Sequence, residues 1–438
     1  MGRTLNRRQF NQAALAAAVA APFVWSGKAR ADNDKPVRVG FVGVGTRGTG
    51  MLQISLGIKG VHVPAVCDIH AGRADKAASI VERAGQRRPE TYTGGETDFR
   101  RLMDRDDLDA VFIATPWQWH TPMAVYAMER GKYAGVEVPC AITLEEGWEL
   151  VRTHEQTGTP CMMMENWSFR RDNLAVLNMI RDGQLGETVH CHCAHSHNCV
   201  DWYVGKQWPL EHLKARCADQ YPTHSLGPVL SWMDINCGDR FETVVSMATN
   251  QWGLTDQLSR QYGKDNPLAK EAFKQGDIVT TLVRTAKGKT VVINNDMQLP
   301  RPYDNRWLIQ GTRGLYNEQR SAVYLAGEGK SPNPEKWSPF EPYQARYDHM
   351  WWRGKDGVGG RFGEAGHGGV DALELYLFYE AVRNHTPTPI DVYDSVVMSV
   401  IFPLSQASIA KGSQPVPCPD FTGGKWKTTK PKFAVERI

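Results

Sequence analysis

Val37-Arg38-Val39-Gly40-Phe41-Val42-Gly43-Val44-Gly45-Thr46-Arg47-Gly48 decides the fold. A β-branched run leads into GxGxxG, and the residues after it, near Thr49–Leu56, read as a helix. In that context Gly43 allows the tight turn, Gly45 lets the backbone approach a pyrophosphate, and Gly48 lets helix pack on strand. The helix N-terminus supplies free N–H groups and the positive end of its dipole to the phosphate. Asp68 ends a second predicted strand, Val61–Cys67, twenty residues beyond Gly48. A carboxylate there accepts hydrogen bonds from ribose hydroxyls and repels a 2′-phosphate, so NAD is expected rather than NADP.

Working outward, apolar strands at Ala110–Ala114, Tyr133–Glu137 and Cys161–Glu165 alternate with helices near Arg73–Ala84, Thr121–Arg130 and Leu144–Thr157. That alternation predicts a parallel sheet, hence a Rossmann dinucleotide-binding domain over 32–165. Beyond Asn166 strands follow one another without helices: Thr188–His197, Phe241–Ala248, Ile278–Thr285, Thr290–Asn295 and Trp307–Gly311. Helices are expected at Asn173–Arg181, Gly227–Asn236, Val370–Arg383 and Val392–Lys411, and a long surface loop at Gly327–Gly366. The fold class is therefore α/β: the Rossmann domain, then a substrate-binding α+β domain over 166–438 with a largely antiparallel open sheet.

Residues 1–31 read as an export signal. Arg3, Arg7 and Arg8 precede the apolar run Ala13–Val24, and Ala29-Arg30-Ala31 has the small-x-small form of a cleavage site. The run is too short to span a bilayer. Arg7-Arg8-Gln9-Phe10 has the form of a twin-arginine signal, which predicts a folded protein exported to the periplasm or beyond. The 438 residues carry a formal charge of +3; loss of the five basic residues of 1–31, which contain no acid, leaves −2. Such a balance gives no electrostatic reason to bind nucleic acid, nor an anionic membrane once the signal is gone. Nine cysteines without framework spacing argue against a disulfide scaffold.

Trp117-Gln118-Trp119-His120 lies just past the third strand, at the carboxyl edge where ligands dock, so its rings could flank a nicotinamide or a sugar. His190 to Cys199 is dense in histidine and cysteine, but same-face neighbours on a strand stand about 6.6–6.8 Å apart. They spread along a line and cannot converge on one tetrahedral ion, so no metal is expected. His195 or His197 is left free to touch ligand. In Tyr221-Pro222-Thr223-His224-Ser225-Leu226-Gly227-Pro228 a phenol and an imidazole stand three residues apart before an apolar helix. Both suit proton transfer, although a histidine capping that helix reads equally from the local sequence.

The GxGxxG, Asp68, the Trp117–His120 loop and Glu137-Val138-Pro139 resemble the Gfo/Idh/MocA oxidoreductase superfamily. Sugar dehydrogenases of that superfamily usually carry Glu-Lys-Pro with a catalytic lysine; Val138 replaces it here. Glu165-Asn166, Arg170-Arg171-Asp172, Tyr221 to Pro228, Arg301-Pro302-Tyr303 and Gly366 to Asp371 are similar to glycoside hydrolase family 109. That resemblance implies removal of terminal N-acetylgalactosamine with a retained NAD. It implies cofactor contacts from Thr46, Arg47, Asp68, Trp117, Gln118, Trp119, His120, Glu137, Val138 and Asn166. It implies substrate contacts from Tyr203, Arg216, Tyr221, Pro222, Thr223, His224 and Tyr303. The family's tyrosine base has no counterpart in Trp167-Ser168-Phe169.

An exported protein meets no pool of free nicotinamide, so its reaction must regenerate NAD in each cycle. Transient oxidation at sugar C3, loss of the C2 proton, departure of the C1 substituent, water addition and re-reduction satisfies this. His224 is the candidate for the C3 hydroxyl proton, and Tyr221 and Tyr303 are the candidates for the C2 proton. The expected partner is a glycan or glycoside, with self-association into a homo-oligomer left open. The competing readings are an exported sugar oxidoreductase or epimerase with tightly bound NAD, and a non-catalytic sugar-binding protein.

Overall fold

β1 (Val37–Val42) is buried at every position but Arg38, which suits a strand covered on both faces. It lies at the centre of a six-stranded sheet with β2 (Val61–Cys67), β3 (Glu90–Tyr92), β4 (Ala110–Ile113), β5 (Tyr133–Val136) and β6 (Cys161–Met163). The order is β3-β2-β1-β4-β5-β6 and every pairing is parallel. The strand order reverses between β1 and β4, the switch point at which such sheets bind dinucleotides. The computed structural model describes residues 35–327, 336–353, 358–361 and 366–435; the export signal expected over 1–31 lies outside them.

The second sheet has nine strands. It comprises β7 (Thr188–Ser196), β8 (Phe241–Ala248), β9 (Val279–Thr285), β10 (Thr290–Asp296), β11 (Leu308–Gly311), β12 (Gly314–Asn317), β13 (Ala322–Leu325), β14 (Ser338–Pro339) and β15 (Val416–Pro417). Their order is β14-β13-β12-β11-β7-β10-β9-β8-β15, antiparallel throughout except for β7 beside β10. Burial alternates strictly along β9, with Val279, Thr281, Val283 and Thr285 inward. One face is thus packed and the other open, as expected of an antiparallel sheet.

The C-terminal helices return to the first sheet. Helix Val370–Asn384 packs on helix Thr46–Leu56, where the Ser55 and Tyr379 hydroxyls meet at 2.7 Å. Ser399 Oγ accepts the Cys140 N–H at 3.1 Å, and Ser395 Oγ accepts the Met163 N–H at 3.0 Å. These contacts bring residue 371 beside residue 47.

Several sequence expectations are corrected. The single helix Val392–Lys411 is two, Val392–Ser399 and Ile401–Ala410, because Pro403 cannot donate back to Ser399. Most of Val392–Ala410 is buried, which explains an apolar character sufficient by length to cross a membrane. The helix expected at Gly227–Asn236 is one turn at Pro222–Leu226 and another at Val229–Trp232, interrupted by Gly227-Pro228. The described parts of Gly327–Gly366 hold β14 and helix Glu341–Tyr347, whose Tyr347 carbonyl accepts from Asn178 Nδ2 at 2.9 Å.

Candidate active site

Gly43 has φ +81°, and a Cβ there would stand 2.5 Å from the Ala114 carbonyl oxygen. A Cβ on Gly48 would lie 1.9 Å from the Gly43 oxygen, so only glycine permits this approach of helix to strand. Gly45 differs: a Cβ would meet nothing within 4 Å. Its missing side chain leaves room above the start of helix Thr46–Leu56, whose first turn carries no side-chain cap. The unpaired N–H groups there suit a pyrophosphate.

Asp68 Oδ2 accepts the Val44 N–H at 3.0 Å and Oδ1 accepts the His70 N–H at 2.9 Å. The carboxylate is thereby fixed at the end of β2 with lone pairs left for ribose. Asp68→Ala should weaken NAD retention and erode its preference over NADP. Equal or tighter binding of NADP by the native protein would remove this role from Asp68.

The glycine loop opens into a cleft of 1450 Å³ that also reaches Trp119, Glu137, His224 and Tyr303. Small-molecule sites usually span about 300–1,000 Å³, so this one has room for a dinucleotide and a sugar together. The loop, the acid and the room fit NAD.

Arg47 organises the floor. Its Nε donates to Glu137 Oε1 at 2.6 Å and its Nη1 to Asp371 Oδ2 at 2.7 Å. Asn166 Nδ2 donates to Asp371 Oδ1 at 2.7 Å, and His367 Nδ1 lies 2.8 Å from Asp371 Oδ2. Burial alone would raise the Asp371 carboxyl. The His367 contact and the Arg47 charge outweigh it and hold the group well below the usual carboxylate range.

Above this floor stands His224, the third residue of the one-turn helix that packs against β7. Its Nδ1 lies 2.8 Å from Oε2 and 3.0 Å from Oε1 of Glu165. Glu165 follows β6, is fully buried, and also accepts the Trp167 N–H at 3.1 Å. Burial pushes the Glu165 carboxyl up to about 8. Burial, aided by the Arg47 guanidinium, pushes the His224 imidazole down to about 3. Each group resists charge; in the tautomer whose Nδ1–H donates to the Glu165 carboxyl, Nε2 is unprotonated and left for the cleft.

Aromatic rings line the cleft around His224. The His195 and Tyr221 rings stack at 5.0 Å and 24°, and Tyr221 lies 4.9 Å from His224. Tyr303 is 5.6 Å from His195 and 5.8 Å from Trp167. The result is an aromatic-walled polar pocket with neutral imidazoles: burial lowers His195 well below its ordinary value.

Comparison with known proteins places this arrangement. The "Glycosyl hydrolase 109, C-terminal domain" family matches residues 169–428, and "Oxidoreductase family, NAD-binding Rossmann fold" matches 37–165. The chain belongs to glycosyl hydrolase family 109. It is 39% identical to an alpha-N-acetylgalactosaminidase of Tannerella forsythia over 92% of this chain and 90% of that protein. It is 36% identical to a family 109 protein of Stenotrophomonas maltophilia over 99% of each. Levoglucosan dehydrogenase solved with NADH and levoglucosan has the same fold, with a TM-score of 0.66 at 20% identity over 88% of this chain and 100% of that one. So does scyllo-inositol dehydrogenase of Lactobacillus casei solved with NAD(H), with a TM-score of 0.62 at 14% identity over 87% and 99%.

Within this family 109 chain the expected site residues divide. Thr46, Arg47, Asp68, Glu137, Asn166, Tyr221, His224 and Tyr303 all line the cleft. Trp117, Gln118 and Trp119 reach it from the loop after β4, Trp117 by an edge only, since it is almost fully buried among Trp202, Trp208, Tyr221 and Phe402. His120 is buried with Nδ1 2.7 Å from the Pro139 oxygen and Nε2 2.8 Å from the Thr115 oxygen. It ties two cleft loops together, and neither ring nitrogen is free for a ligand. Val138 is a buried core residue at the cleft edge, joined to Pro139 by a cis bond.

Tyr203, expected to contact substrate, does not line the cleft. This side chain is buried among Leu210, Leu254 and Leu258, with its hydroxyl 3.4 Å from Gln298 Nε2; its neighbour Trp202 lines the cleft instead. Arg216 sits behind the wall over the Phe402 ring at 5.4 Å. Pro222 and Thr223 are buried in the one-turn helix and support Tyr221 and His224 without facing the cleft. The His190–Cys199 run alternates: Cys191 and Cys193 enter the core, while His190 meets Thr290 Oγ1 and His192 meets Asn294 Oδ1, both at 2.8 Å. Glu165 and Asp371 are the functional carboxylates that sequence reading did not nominate. Glu165 had a signal in its place just past the last parallel strand.

Proposed function

We propose that this chain is a glycosidase that removes terminal N-acetylgalactosamine, or a related N-acetylhexosamine, with NAD held in the same cleft. The observation that carries the reading is how the carboxylates around His224 are engaged. Glu137 and Asp371 are tied to Arg47, and Glu165 is buried beneath the imidazole. A conventional retaining glycosidase needs two free carboxyl groups about 5–5.5 Å apart across the bond, and none of these three is free. When bound, NAD supplies a reversible hydride acceptor for sugar C3. His224 Nε2 takes the C3 hydroxyl proton and returns it, with Glu165 fixing the ring and its tautomer. Tyr221 and Tyr303 are the hydroxyls placed for the C2 proton. Burial raises both phenols above their ordinary value, so the phenol that receives the C2 proton gives its own to the departing C1 oxygen in the same step. The ring-lined wall of Tyr221, Tyr303 and Trp167 offers apolar faces to the sugar.

The purified protein should release nitrophenol from an aryl α-N-acetylgalactosaminide. Dehydrogenation or epimerisation of the free sugar with no release from any aryl N-acetylhexosaminide would overturn the hydrolytic reading.

The reading includes export by the twin-arginine route, which suits a protein that folds around its cofactor before crossing the membrane. Changing Arg7 and Arg8 to lysine should leave the precursor inside the cell. Unchanged secretion of that variant would contradict the route.

A further inference from the structure

Helix Val200–Lys206 follows β7 and faces the first turns of helix Thr46–Leu56 across a gap of 700 Å³. Thr46, Arg47 and Gly50 form one wall of the gap; Trp202, Gly205 and Lys206 form part of the other. The same residues border the main cleft, so the gap is continuous with the space above Gly45. Lys206 is half-buried there, with its ammonium 5.3 Å from the centroid of the Trp202 ring. Among the described residues no carboxylate stands within ion-pair distance of it. Glu137, which would favour its charge, is already held by Arg47 at 2.6 Å. Burial lowers the lysine, and the charges of Arg47 and Arg73 lower it further.

A partly desolvated ammonium without a counter-ion is costly, and here it faces uncapped N–H groups across a gap. We propose that Lys206 closes over the cofactor from the substrate-binding half and pairs with its pyrophosphate. The phosphates then sit between the helix start and the lysine. The inference rests on NAD being the resident dinucleotide, and it assigns to this lysine the retention of the cofactor. The Trp202 face holds the ammonium in the gap through its ring quadrupole until the phosphate takes it over.

The test is the exchange of bound NAD against excess labelled NAD in the purified holoprotein, for the native chain, Lys206→Met and Lys206→Arg. A charge-assisted phosphate contact corresponds to about ten- to a hundredfold in affinity, and that factor should appear in the release rate of Lys206→Met. Lys206→Arg keeps the charge and should release NAD at close to the native rate. Added salt should speed release from the native protein more than from Lys206→Met, because screening acts on the charge that the substitution removes. An unchanged rate in Lys206→Met, or equal acceleration in Lys206→Arg, would overturn the clamp while leaving NAD as the cofactor. A native protein that carries no dinucleotide would sink the NAD reading and the clamp with it.

Discussion

His224→Ala should lower turnover about 10²–10⁴-fold, the range for loss of a positioned general acid–base group, while NAD stays bound. The separation of the two effects follows from the site's construction. The dinucleotide rests on the glycine loop and Asp68, none of which touches His224, whereas the imidazole is positioned from below by Glu165 at 2.8 Å. Glu165→Gln should cost less than His224→Ala, because an amide can still hydrogen-bond Nδ1. The pH profile supplies a second signature. Burial and Arg47 hold the imidazole neutral at pH values where a solvent-exposed histidine would be charged. As pH falls, the base should therefore remain competent through the ordinary histidine value of about 6.5, and the acidic limb of kcat/KM should lie below it. A fully active His224→Ala would remove this residue from the mechanism.

The sequence discloses what is local. β1, the glycine loop and Asp68 are legible because their meaning lies in a short strand–turn–helix and in one acid at a fixed spacing. β3 escapes because it is three residues long with two exposed, so neither alternation nor an apolar run marks it. β12 and β13, each four residues, are short in the same way. The contact between Arg47 and Asp371 spans 324 residues and exists only because helix Val370–Asn384 docks on helix Thr46–Leu56. No local pattern encodes it. Tyr203 shows the limit of aligned motifs: adjacent residues on a helix differ by about 100° in direction, so Trp202 turns to the cleft and Tyr203 to the core. His120 sits in the right loop, yet its two carbonyl partners were legible only in the folded chain.

The second large effect is in the fate of a carbon-bound hydrogen. Two free carboxylates flanking the glycosidic bond would hydrolyse it without touching C2, but the carboxylates here are engaged by Arg47 and His224. If the sugar is oxidised transiently at C3, the proton on C2 must leave before the C1 substituent and be replaced from solvent when water adds. Breaking that bond should also slow C2-deuterated substrate if the step limits turnover. The decisive measurement is hydrolysis of an aryl α-N-acetylgalactosaminide in D₂O, with the product analysed by NMR at C2. One deuterium per released sugar at C2 is the predicted result; N-acetylgalactosamine released with its C2 hydrogen fully retained would contradict the account.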